Sequence, residues 1–177
     1  MKYINRNPII YVLSGKAKSG KNTVADIISE YYKDKSIQIS FAYYLKEYVK
    51  NITKWDGSEE DKPRDLLQSI GIDLVKKINP NLLINRVCDD IKVYSYFYDV
   101  IIVTDARLID EIEMLKSYFK CVIIRVNNLK DNNLTENQKN HITETNLDNY
   151  NKFDYIVDNN ELLRQNIESI LEVTKWM

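Results

Sequence analysis

The segment IIYVLSGKAKSGKNTVADII, Ile9 to Ile28, constrains the fold more than any other stretch of the chain. Ile9 to Ser14 is a short apolar, β-rich run, the composition of a central parallel strand buried on both faces. Gly15 ends the run, and beyond Lys21 the residues Val24, Ile27, Ile28 and Tyr31 recur at helical spacing. Between strand and helix, Gly15, Lys16, Ala17, Lys18, Ser19, Gly20 and Lys21 fit the pattern G-x-x-x-x-G-K. In that context the pattern describes a phosphate-binding loop. The glycines permit the turn and a close backbone approach, amides at the helix start point at phosphate oxygens, and Lys21 reaches the β- and γ-phosphates. A glycine-rich turn followed by a chance lysine leaves the full match unexplained.

Such loops usually continue with Ser or Thr, whose hydroxyl helps to hold Mg²⁺. Here Asn22 follows, and the hydroxyl arrives one residue later at Thr23. Asparagine offers only a neutral carbonyl oxygen, but magnesium keeps several waters and needs no full protein cage. The departure therefore leaves a metal-assisted nucleotide site open.

Further along, SIQIS, DVIIVTD, KCVIIRV and FDYIVDNN read as four more strands, alternating with amphipathic helical stretches. One helix starts at Phe41, with Phe41, Leu45, Tyr48, Val49 and Ile52 as its apolar stripe. Another runs from Pro63 to Asn79-Pro80, a third follows to Tyr94, a fourth spans Arg107 to Tyr118, and a last one closes the chain. The alternation predicts an α/β, doubly wound, five-stranded parallel sheet flanked by helices. With 177 residues and 44% apolar composition, one domain over 1–177 suffices. Residues 127–152 are polar and Asn-rich, the composition of a functional or disordered connection.

The net charge of −1 gives no footprint for nucleic acid, and no apolar run is long enough to span a membrane. The opening residues lack the apolar core of a signal peptide, and Cys88 and Cys121 sit singly in apolar runs as core thiols would. A cytoplasmic protein is the expectation.

Five quoted stretches carry a resemblance: SGKAKSGKNTVADII, SFAYYLKEYV, DLLQSIGIDLVKKINPN, VIIVTDARLIDEIEMLK and HITETNLDN. In this order they resemble phage-type deoxynucleoside monophosphate kinases, whose loop reads S-G-K-x-x-S-G-K-D-T and which carry L-L-Q-x-x-G-x-D, a strand ending D-x-R, and H-x-S/T-E. The resemblance implies a P-loop NTPase fold with a helical acceptor region over about 41–95 and a lid over about 127–152. It also implies transfer of the γ-phosphoryl of ATP, with Mg²⁺, to a nucleoside 5′-monophosphate, with a homodimer as an open possibility.

On that reading Gly15 to Thr23 bind ATP, with Asn159 either bordering the adenine or capping the last helix. Thr23 and Asp105 organise Mg²⁺, directly or through water; alternatively Asp105 caps the helix that follows it. Arg107 and Arg125 neutralise phosphate charge, unless Arg107 merely pairs with Asp110 or Glu111. Phe41 either stacks on the acceptor base or belongs to the core; Lys46, Arg64, Gln68 and Asp73 line the acceptor pocket or stand on the surface. His141, the single histidine, and Glu144 serve lid closure. The lid has no arginine between Val126 and Leu163, leaving Arg125, Lys130, Lys139 and His141 as its cations. Two rival readings are a P-loop kinase of another small metabolite, of phosphomevalonate or dephospho-coenzyme A type, and a nucleotide-binding module without catalysis.

Overall fold

The computed structural model describes residues 3–128 and 135–176. Strand β1 (Ile9–Ser14) lies at the centre of a five-stranded sheet, between β3 (Val100–Ala106) and β4 (Cys121–Asn127). The edges are β2 (Ser36–Ile39) beside β3 and β5 (Tyr155–Asp158) beside β4, and all four pairings are parallel.

Strand periodicity distributes the core. Tyr11 and Leu13 face one side with Val24 and Ile28 of α1 (Lys21–Tyr32) and Ile167 and Leu171 of α9 (Leu163–Thr174). Ile10 and Val12 face the other, with Val87 and Ile91 of α5 (Leu82–Tyr94) and Ile112 and Leu115 of α6 (Ile109–Tyr118). The buried Tyr11 hydroxyl bonds to Thr174 Oγ1 at 2.6 Å. A third, smaller cluster stands off the sheet: Leu45 and Val49 of α2 (Ala42–Thr53) pack with Leu67 of α3 (Arg64–Gln68).

The chain leaves β1 toward β2 on one side, and after β3 crosses β1 to place β4 on the other. That reversal opens a crevice at the C-terminal end of β1, where open α/β sheets bind their ligands. The helix after Pro63 continues from α3 into a π-helical segment, Ser69–Val75, before α4 (Lys76–Ile78). Such wide turns often accompany functional sites.

Three expectations of burial are corrected. Tyr31, Tyr48 and Ile52 are exposed; Tyr31 lies at the rim of the α1–α9 contact, where its hydroxyl donates to Glu172. The expected lid is also less free than its composition suggests. It contains α7 (Glu136–Lys139) and α8 (Ile142–Thr145), and Leu147 beyond them is buried against the α5–α6 side of the core. Tyr150 and Phe153 pack there too, and the Tyr150 hydroxyl donates to Glu113 at 2.7 Å. Lys130 lies outside the described residues. Cys88 is buried, Cys121 partly so, and both thiols are free. Among the described residues, no helix is long and apolar enough to cross a membrane.

Candidate active site

The loop from Gly15 to Gly20 sits where β1 hands the chain to α1, and both glycines are sterically required. A Cβ at Gly15 would lie 2.4 Å from the Val126 carbonyl oxygen on β4 and 2.5 Å from Ser19 Oγ. Gly20 has φ +102°, and a Cβ there would lie 2.5 Å from Asn159 Nδ2. The Asn159 backbone is held in turn by its own N–H, which donates to the Asn127 backbone carbonyl at 2.8 Å. Asn159 does not cap α9, whose start has no side-chain cap; its side chain lies against the loop at Gly20.

Lys21 is only 7% exposed, and its Nζ donates to the carbonyls of Gly15 at 2.7 Å and Lys16 at 2.8 Å. Burial, then the Arg107 guanidinium, push its ammonium down to about 7, against the opposing pull of Glu144 and Asp105. Ser19 Oγ is buried in the loop without a hydrogen-bond partner. Both groups are provisioned for an incoming anion: a cation short of countercharge and a donor without an acceptor.

A carboxylate already sits there. Glu144, 5% exposed, accepts a hydrogen bond from the Ala17 amide at 2.7 Å through Oε2, and its Oε1 pairs with Arg107. The H-x-T-E stretch explains how α8 delivers it. His141 Nδ1 caps the helix by accepting from the Thr143 amide, and lies 2.9 Å from Thr143 Oγ1. Gln68 of α3 reaches Thr143 Oγ1 at 3.4 Å. His141 therefore positions α8 and does not itself line the cleft.

Asp105 closes the opposite wall. Its two oxygens accept from the Phe41 amide at 2.8 Å and the Ala42 amide at 3.0 Å, so it caps α2 rather than the helix that follows it. Arg107 pairs with Glu144, and the neighbouring acids go elsewhere. Asp110 meets Lys76 at 3.4 Å, while Glu111 accepts from the backbone amides of Arg107 at 2.7 Å and Leu108 at 2.9 Å. Glu111 is a site residue that the sequence did not single out. Burial pushes its carboxyl up to about 7, with those amides opposing. Its position at the third residue of α6 is the available signal, since Glu there turns back to bond the preceding backbone amides.

The loop opens into a cavity of about 580 Å³ between the sheet, α2 and the α3–α4 stretch. Ala17 to Thr23, Phe41, Lys46, Arg64, Gln68, Asp105, Arg107, Glu144 and Asn159 all line it. Its far wall is apolar, with Leu67, Ile72, Val75 and Leu83, and Lys62 and Lys76 add cations to Lys46 and Arg64. Arg64 and Lys62 share Glu59 at 3.0 and 2.5 Å. Phe41 is buried and belongs to the core as well as to the wall.

Five expected residues fall outside this lining: Gly15 at the base of the loop, His141, and three whose partners lie elsewhere. Asp73 is exposed and accepts from Ser69 Oγ at 3.1 Å. Lys16 pairs with Asp148 at 2.9 Å on the outer side of the loop. Arg125 stands behind the loop, donating to Ser14 Oγ at 3.2 Å, 3.6 Å from Asp148 and over the Phe153 ring; burial lowers its pKa.

The residues fit a nucleotide phosphate, as the docked carboxylate and the orphaned Ser19 hydroxyl indicate. They also fit Mg²⁺. Thr23 and Asp105 line the cavity beside the loop, and the Asp105 oxygens retain lone pairs beyond their amide bonds. Asn22 shares that lining. Among the described residues no three His, Cys, Asp or Glu side chains form a cage. A few protein oxygens alongside phosphate and water are what Mg²⁺ tolerates.

No protein-family model matches the chain, and no curated protein matches it. Solved structures do. A shikimate kinase from Bacteroides thetaiotaomicron superposes with a TM-score of 0.56 at 13% identity, over 94% of this chain and 98% of that one. TT1252 from Thermus thermophilus gives 0.55 at 12% identity, over 96% and 97%. At such identities the likeness concerns the fold alone: a parallel five-stranded sheet flanked by helices.

Proposed function

We propose that the protein transfers the γ-phosphoryl group of ATP to a deoxynucleoside or nucleoside 5′-monophosphate. The observation that carries this reading is continuity: the phosphate loop and a cation-lined, apolar-walled pocket share one cavity. Loop amides and Lys21 hold the ATP phosphates, and the protonated ammonium gains the countercharge that it lacks in the free protein. Thr23 and Asp105 would hold Mg²⁺, which would supply charge neutralisation at the transferring phosphates.

The acceptor enters beside α2 and α3, its base against the apolar wall and the edge of Phe41. Lys46 and Arg64 attract its phosphate, and Gln68 offers an amide to a base or sugar edge. An acceptor phosphate oxygen attacks the γ-phosphorus as the bond to the bridging oxygen breaks, and ADP leaves with that electron pair. No general base is required, because the acceptor phosphate is already anionic at neutral pH. Arg107 spans donor and acceptor sides, and Arg125 adds positive charge from behind Ser14.

A second reading, a kinase of another small anionic metabolite, draws on the shikimate kinase fold neighbour and on the same cation-lined pocket. A panel of acceptors with ATP, read as coupled ADP release, separates the two. Turnover with monophosphates, abolished in Lys21→Ala, is the expected result; turnover confined to non-nucleotide acceptors overturns the nucleotide reading. ATP binding with no transfer to any acceptor favours a non-catalytic module.

A further inference from the structure

We propose that Glu144 is an internal anion that fills the phosphate site of the free protein, making α8 a latch that incoming ligand phosphate must release. The proposal rests on reading the loop as a nucleotide site. Its geometry is specific. One carboxylate oxygen takes the Ala17 amide of the loop, and the other takes Arg107 at the end of β3. These are the two kinds of donor that a phosphate uses, a loop amide and a guanidinium.

The carboxylate is also built into place. His141 caps α8 in front of it, and behind it Asn146 Oδ1 accepts from the Ile109 amide at 2.7 Å. Leu147, buried in the core, anchors the chain one residue further on. Lys21 meanwhile donates to the loop's own Gly15 and Lys16 carbonyls, and Ser19 Oγ is left without a partner. A ligand phosphate and the Glu144 carboxylate would claim the same donors with like charge, so both cannot keep them.

Two consequences follow. Ligand affinity is lowered by the fraction of protein with the latch seated, and Arg107 becomes free for the reacting groups only after Glu144 has left. The loop amide and Arg107 therefore stay occupied until phosphate arrives.

Pyrophosphate is a suitable probe, because it engages the loop without an acceptor or a base. Calorimetric titration of Glu144→Gln, which keeps the side-chain shape and removes the charge, is expected to show binding roughly tenfold tighter than wild type. Asn146→Ala, which loosens the anchor without touching the cleft, is expected to tighten binding to a smaller degree. In the wild type, hydrogen exchange over residues 142–148 should speed up when pyrophosphate binds. Equal or weaker binding by Glu144→Gln, or slower exchange over 142–148 with ligand, overturns the latch.

Acceptor assays on the same variants separate the two proposals. Tightening without phosphoryl transfer keeps the latch and removes the kinase reading. Transfer without tightening does the reverse, and pyrophosphate that binds neither protein overturns the latch and leaves the kinase reading to the acceptor panel.

Discussion

Asp105, at the end of β3, caps a helix that begins more than sixty residues earlier: its oxygens lie 2.8 Å from the Phe41 amide and 3.0 Å from the Ala42 amide. Helix α2 has no side-chain cap of its own. A carboxylate at its N-terminus both satisfies free amides and opposes the helix dipole. Asp105 thus ties the start of α2, one wall of the cleft, to the end of β3.

Replacing that ion should loosen the wall. Asp105→Ala is expected to cost about 1–2 kcal/mol of stability, and Asp105→Asn, which keeps one acceptor, less. Urea midpoints measure the loss.

Gly20 offers a test that separates strain from collision. Gly20→Ala places a methyl group on Asn159 and forces φ +102° on a residue with a side chain. A loss of roughly 1–3 kcal/mol is expected from the backbone alone. Adding Asn159→Ala should recover the steric share and leave the backbone share. Thermal melts of the three proteins measure both; full recovery would show that the backbone angle carries no cost.

Lys21 links nucleotide binding to protons. Its pKa in the free protein is about 7, so at pH 8 much of it is neutral. Phosphate charge beside it restores the ammonium, and binding should take up protons between about pH 7 and the ordinary lysine range. Titrations in two buffers of different ionisation enthalpy read this directly. The uptake should vanish in Lys21→Met.

Glu111 predicts a slope of stability with pH. Its folded pKa, about 7, lies above that of the unfolded chain, so the folded state binds the proton more tightly. The stabilisation is complete below the ordinary carboxylate range and is lost as pH rises through about 7. Glu111→Gln retains an acceptor for the Arg107 and Leu108 amides and should flatten this part of the curve. Chemical denaturation at several pH values tests it.

Local patterns account for what the sequence made legible. The loop, five strands and most helices are written in residue types and spacings a few positions long, so Gly15, Gly20 and Lys21 were readable in place. The partners of Asp105 and Arg107 were not, because their bonds cross 63 or 64 and 37 positions and depend on how elements pack. Periodicity likewise marked Tyr48 and Ile52 as apolar without revealing that both stand exposed on α2. The H-x-T-E stretch identified Glu144, but only the fold shows its carboxylate in the loop that it was expected to cover.

Leu147 limits how the segment behind that carboxylate can travel. Buried three residues after Glu144 and backed by Tyr150 and Phe153, it fixes a pivot close to the site. Retraction is then a short crank, on the order of one helical turn or ~5 Å, rather than the sweep of a large flap. The overall radius should barely change on ligand binding, while a probe placed within α8 reports the whole stroke. Turnover would then be gated by a small local rotation, which large-scale measures of shape would miss.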